Sequence, residues 1–442
     1  MYFGAWGRKM EEFVKSVVEQ IRWVRVRENI AKELSDHIAD QAAAYEENGT
    51  DREEALRRAV REMGDPIAIG AEFDRIHRPQ TDYILLAMTV LFSLAGMLVL
   101  YTAGGLSAAP EVWVKQCITL PVSFVVIVGI YFLDYSFIGR HAYAVYGGLT
   151  AVFIVSRLVF TEVYGMLSQE FMLGYLFVPV YAGILYRLRQ GGYGAVVKAG
   201  AMQLVTVAVV YGFTRTMHAA ISIFLICLTL LVIAIWKGWF VVSRKRALAF
   251  TVSALVIVPA AYAAIRLVGF GGSTFFVERL RAYFNPSAYS GGAGFFYEWI
   301  ETQLAGVRFF GASWDDAFYA ENSMGTPYVS GTTPFIVLNM VCRYGAYTGV
   351  ILLAAFAVFI LRAFRIVRKQ SSRFGFMMSV SCVMVFAVNC VEGILINTGR
   401  YPLTSMQLPF ISYGIGTTLT YAVLIGLLLS VHRHERIACV SF

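Results

Sequence analysis

Two different patterns of apolar and polar positions divide the chain. Over the first 80 residues, apolar positions recur at helical spacing between charges. Ile30, Leu34 and Ile38 form one such stripe, and Asn48-Gly49 supplies its stop. Thr50-Asp51-Arg52-Glu53 reads as a capping box that opens a helix through Ala55, Leu56, Ala59, Val60 and Met63, which Gly64-Asp65-Pro66 ends. A bundle of three or four helices is expected there. From Tyr83 onward the polar punctuation thins out. Apolar runs of spanning length lie near 83–104, 112–133, 142–160, 171–187, 195–213, 218–236, 247–268, 333–361, 374–397 and 409–431. The expected fold is all-α: a polytopic membrane protein of about ten transmembrane helices over residues 81–442, with a small cytoplasmic helical bundle at residues 1–80.

Composition and charge sharpen this division. Of the 442 residues, 58% are hydrophobic and 15% charged, far more apolar than a soluble globular chain. Residues 1–80 hold 13 of the 37 Lys and Arg and 16 of the 29 Asp and Glu, whereas the rest carries 24 basic against 13 acidic residues. The basic excess therefore belongs to the apolar part, where it suits anionic lipid headgroups rather than nucleic acid. The first 80 residues contain no apolar core of signal-peptide length, so no cleavable signal is expected. The positive-inside rule places Arg140, Arg187, Arg189, Lys198, the 237–246 cluster, the 362–373 cluster and Arg433 in cytoplasmic loops, with both termini inside. The six cysteines show no C-x-x-C pair and read as small buried hydrophobes; neither a metal site nor a cofactor is expected.

One long connection, 269–332, then faces outward. It is rich in aromatics and glycine, including Tyr283, Phe284, Phe295, Phe296, Trp299, Phe309, Phe310 and Trp314. Such a segment suits the headgroup level, either as a loop resting on the bilayer or as a lid over a groove for a lipid-linked substrate. Within the apolar spans only Glu392 is an acid, with Asn389 one turn earlier on the same face; Arg343, or Arg266, is its expected partner. His37 reads as a packed or capping histidine, and His218, at the edge of the sixth run, as a capping or interfacial one.

The segment Pro402–Leu419, P-L-T-S-M-Q-L-P-F-I-S-Y-G-I-G-T-T-L, resembles the signature of the SEDS family (shape, elongation, division and sporulation), which includes RodA, FtsW and SpoVE. Pro402, Thr404, Leu408, Pro409, Phe410, Ser412, Tyr413 and Gly414 match, while Ser405 and Ile415 stand where the family has glycines. E-R-L-R-A-Y-F-N-P from Glu278, G-G-A-G-F-F from Gly291 and L-A-G-V-R-F-F-G-A-S from Leu304 resemble further family stretches in order. The N-terminal 80 residues fall outside this likeness and resemble helical modules that precede some bacterial permeases and sensors. The resemblance implies ten helices with a large outer loop between the seventh and eighth, in a bacterial inner membrane. It also implies polymerisation of peptidoglycan from lipid II, usually beside a class B penicillin-binding protein, in cell shape, division or sporulation.

That chemistry needs a base to take the proton of a sugar 4-hydroxyl as it attacks the anomeric carbon of a lipid-linked donor, whose diphosphate departs. The family supplies an aspartate in a T-D-F motif. Here Thr333 and Phe335 match, but Pro334 holds the aspartate's place. Cys342 and Arg343 replace the two acids of a following A-E-E-x-G motif, a Q-P-D-L-G-T motif has lost its aspartate at Thr214–Ala219, and an N-x-G-M motif reads Gly393–Ile396. Glu392 and Asp315 are the candidate displaced bases, and Asp316, Glu321, Glu298 and Glu301 are further loop acids. The candidate substrate-binding positions are Thr333, Asn339, Arg343, Asn389 and Ser412. Three readings stay open: a divergent or inactive homologue that scaffolds or regulates, a glycosyltransferase with a displaced base, and a flippase or transporter of lipid-linked sugars.

Overall fold

The computed structural model describes residues 5–101, 110–159, 170–214, 216–253, 257, 260, 274–290, 292–313, 335–402 and 408–435. Its described segments are helical, and it divides into two compact units, residues 1–81 with 432–442, and residues 82–431.

The first unit holds α1 (Ala5–Glu19), α2 (Val24–Glu47), α3 (Arg52–Glu62) and α4 (Pro66–His77). Val17, Ile21, Ile30, Leu34, Ile38 and Ala59 make its core, each side chain of Leu or Ile size contributing about 1.5–3 kcal/mol on burial. Asp51 rather than Thr50 caps α3, accepting from the Glu53 amide, because a carboxylate is the stronger acceptor for the helix's first amides. Gly64, at φ +88°, turns the chain so that Asp65 can cap α4 ahead of Pro66. His37 lies on the exposed face of α2, not in a packed position. At the C-terminal end of this unit the Arg433 guanidinium lies 4.7 Å from the Trp23 ring.

The second unit begins with α5 (Tyr83–Leu100) and α6 (Pro110–Phe132), followed by the short α7 (Ser136–Arg140) and α8 (Ala142–Val159). A 3₁₀ turn over Glu170–Leu176 leads into α9 (Phe177–Arg187), then α10 (Tyr193–Thr214) and α11 (Met217–Trp236). The connection between spans contributes α12 (Thr274–Phe284) and α13 (Phe295–Ala305). The last helices are α14 (Ile336–Tyr344), α15 (Ala346–Lys369), α16 (Arg373–Asn397) and α17 (Ile415–Arg433). Among the described residues, seven helices are long and apolar enough to cross a membrane, and 142–155 and 172–187 form two shorter apolar helices. Residues 244–253 are helical, while most of the expected span 247–268 lies outside the described residues. α11, α16 and α17 are mostly buried and form the centre; Leu91, Leu94, Val125 and Ile351 leave apolar faces of α5, α6 and α15 on the outside.

The single apolar run expected at 333–361 is in fact two helices. Gly345, at φ +115°, breaks it, and a Cβ there would come within 2.5 Å of the Phe309 carbonyl. Backbone groups freed at the break are bonded by residues 308–313: Ala346 donates to the Arg308 carbonyl, Gly311 to Tyr344 and Ser313 to Cys342, at 2.8–3.0 Å. Irregular backbone among apolar helices persists where protein satisfies it in this way. The aromatic connection also packs inward: Phe296 stacks on Phe335 at 5.6 Å and Trp299 meets the same ring at 5.5 Å. Cys227, Cys342, Cys382 and Cys390 are buried as expected, but Cys117 is exposed on α6.

Candidate functional site

Glu392 sits five residues before the end of α16. Ser372 caps the start of that helix by accepting from Gly375, and Gly399, at φ +68°, terminates it. The turn after Asn397, closed by Arg400 donating to the Leu395 carbonyl at 2.9 Å, sends Tyr401 back along the helix. Its hydroxyl donates to Glu392 Oε1 at 3.0 Å. Ser222 of α11 reaches the same oxygen at 2.5 Å. Glu392 is 8% exposed, sheltered as an acid inside an apolar bundle must be. Among the described residues its partners are two hydroxyls, not the guanidinium of Arg343, because the fold brings α11 and the Tyr401 segment to it; Arg266 lies outside the described residues. Burial, and then the nearby Glu392, hold the Tyr401 hydroxyl well above its ordinary range, so it remains a donor.

Asn389, one turn earlier, donates to the Tyr421 hydroxyl of α17 at 2.9 Å. Asn397 ties α16 to α14: its Oδ1 accepts from the Leu338 amide at 2.9 Å and its Nδ2 donates to the Gly393 carbonyl at 2.7 Å. On α14, Asn339 is buried and Arg343 half-buried. His218 is buried near the start of α11 rather than interfacial, and its carbonyl accepts from Ser222.

Ser412 serves the backbone. Its Oγ accepts from the Leu408 amide at 3.0 Å and closes a turn in which Phe410 adopts a left-handed φ of +63°. That conformation is costly for a non-glycine residue; burial of its ring against Phe386 and Tyr421 holds it. Gly96 of α5 packs so closely on Ile411 that a Cβ there would clash with the Ile411 carbonyl. The structure thus sets Glu392 and Asn389 one turn apart on α16, bonded to different neighbours, and gives Ser412 a structural role. Thr333, Pro334 and Asp315 lie outside the described residues, as do Asp316 and Glu321; Glu298 is half-buried and Glu301 exposed on α13. Ser222, Tyr401, Asn397 and Tyr421 were not legible as site residues. Among the described residues, no three His, Cys, Asp or Glu side chains converge as a metal would require.

The family model for the cell cycle proteins FtsW, RodA and SpoVE matches residues 82–437. The chain belongs to that family. Among curated relatives, it is 25% identical over 169 residues to the "Probable peptidoglycan glycosyltransferase FtsW" of Trichlorobacter lovleyi, covering 38% of this chain and 42% of that one. It is 29% identical over 182 residues to Stage V sporulation protein E of Bacillus subtilis, covering 39% and 47%. The chain therefore aligns with less than half the length of either relative. Two solved structures share the fold. One, from work on the coordination of polymerization and crosslinking by a peptidoglycan synthase complex, superposes with a TM-score of 0.60 at 19% identity, covering 80% of this chain and 98% of the other. A variant of the rod-shape-determining protein RodA of Thermus thermophilus superposes with a TM-score of 0.50 at 14% identity, covering 80% and 98%. As an FtsW/RodA/SpoVE protein with several apolar helices, this is a multi-pass bacterial membrane protein.

Proposed function

We propose that this FtsW/RodA/SpoVE protein acts in peptidoglycan biogenesis by holding a lipid II-type precursor or a class B penicillin-binding protein, without polymerising glycan itself. The observation that carries the reading is Pro334, which occupies the place of the family's aspartate. A proline ring has no group able to take the proton of an attacking sugar hydroxyl, a task that commonly contributes about 10²–10⁴ in rate. Cys342 and Arg343, in the last turn of α14, remove two further acids. Glu392 is a poor substitute base, since it is only 8% exposed, buried among α11, α16 and the Tyr401 segment. In this reading residues 1–80 are cytoplasmic and 269–332 extracytoplasmic, and α13, whose Phe296 and Trp299 pack on Phe335 before α14, is part of a lid for the lipid-linked sugar.

Binding and topology test this directly. Purified full-length protein should bind lipid II in native mass spectrometry, and binding should weaken on Phe335→Ala, which removes the ring under Phe296 and Trp299. A membrane-impermeant thiol reagent applied from outside should label Ser287→Cys and spare Ser35→Cys. Failure to bind either lipid II or a penicillin-binding protein, or the reverse labelling, would sink the proposal.

A further inference from the structure

Ser222 has one hydroxyl proton to give, with the His218 carbonyl at 2.9 Å, Glu392 Oε1 at 2.5 Å and the Tyr175 and Tyr401 hydroxyls all against it. With Glu392 ionised, that single proton is contested between the carboxylate and a carbonyl that already accepts within its own helix, and the charge is shared with Oε2, which is buried and has no hydrogen-bond partner among the described residues. Adding one proton completes the chain. Tyr401 donates to Oε1, Oε1–H donates to Ser222, and Ser222 donates to the His218 carbonyl. Oε2 is then the carbonyl oxygen of a neutral acid, far cheaper to leave bare than half of a charge.

Among the described residues, no counter-charge is in hydrogen-bond contact with Glu392. Tyr175, Tyr401 and Tyr421 are the titratable groups around the carboxyl, with Cys390 on its own helix. From α11 comes His218, with Arg279 beyond it, and from α14 comes Arg343, which does not bond Glu392. The charges of α15, from Arg362 to Lys369, adjoin the start of α16, about 28 Å along the helix from Glu392.

We propose that Glu392 is a proton-binding site whose neutral carboxyl bolts α16 to α11 and to the Tyr401 turn, so that losing the proton loosens that junction. The test uses the full chain in detergent with dicyclohexylcarbodiimide, an apolar reagent that takes the proton of a neutral carboxyl onto nitrogen as the carboxyl oxygen adds to its central carbon. Mass spectrometry should find an adduct on Glu392 at pH 7, where ordinary carboxyls near 4.3 are ionised, and the yield should fall as pH rises. Hydrogen exchange of residues 398–402, corrected for intrinsic rate, should increase over the same range in the natural protein. It should be flat with pH in Glu392→Gln, whose amide oxygen still accepts but cannot ionise. An unlabelled Glu392 at both pH 5 and pH 7, or identical exchange profiles in the two proteins, overturns the proposal. Should Glu392→Gln fail to fold, labelling of the unmodified chain decides alone.

Discussion

Two carboxyls of the membrane unit are buried to the same degree and are held in opposite ways. Asp82, 5% exposed, caps α5 through the Leu85 amide and takes the Arg362 guanidinium at 2.8 and 3.1 Å. Glu392, 8% exposed, is bonded among the described residues by two neutral hydroxyls. A guanidinium and a helix N-terminus both favour an anion, so the Asp82 region is built around a charge. Two hydroxyls and a bare oxygen do not supply what an anion needs, so the Glu392 region is built around a neutral group. Burial alone therefore does not say what a carboxyl does; its partners decide.

Breaking the Asp82 pair should have the largest effect. Arg362→Ala leaves a buried carboxylate uncompensated and should lower stability by about 3 kcal/mol, read as a drop in the thermal midpoint of the detergent-solubilised protein. Asp82→Asn should cost less, because asparagine still caps α5 and Arg362 keeps some access to water. An equal or larger loss in Asp82→Asn would contradict the charge-centred account. Around Glu392 the numbers should be smaller. Tyr401→Phe removes one neutral donor and should cost about 1 kcal/mol in the same melt. A loss as large as that of Arg362→Ala would mean the hydroxyl was supporting an anion.

Glu62 of the first unit marks the weak end of the scale. It is bonded by Tyr45 and by Arg58, and those two contacts, in that order, hold its pKa below the ordinary value. A depressed carboxylate adds stability above its unfolded pKa, and that stability is lost as pH falls through the folded value. A small loss should therefore appear only in acid, below about pH 4, and should vanish in Glu62→Gln. Acid sensitivity of the same size in the variant would assign it to other carboxylates.

Much of this was legible along the chain, because helical periodicity and spanning length are local properties. The stripe Ile30-Leu34-Ile38 and the stops at Gly49 and Gly64 sit where the helices need them. Glu392 stood out as the lone acid of the apolar runs. Its partners did not, since Ser222 lies 170 positions away and looks like any small residue of an apolar helix. A charge invites pairing with a charge, which pointed to Arg343; the fold paired it with hydroxyls instead. The break at Gly345 was hidden because mean hydropathy stays high across it. Only a positive φ, and the strap 308–313 that satisfies the freed backbone, reveal it. Asn397 was equally invisible, its role set by where α14 begins against α16.

Glycan polymerisation tests most directly whether the family fold persists here without the family's base. Purified full-length protein, with and without a class B penicillin-binding protein, should be incubated with labelled lipid II and its products resolved by gel. No glycan strands should form above background, and none should be gained in Pro334→Asp, because Cys342 and Arg343 also depart from the family's acids. Glycan strands made by the unmodified protein alone would contradict it, and their loss in Asp315→Asn would then name the base.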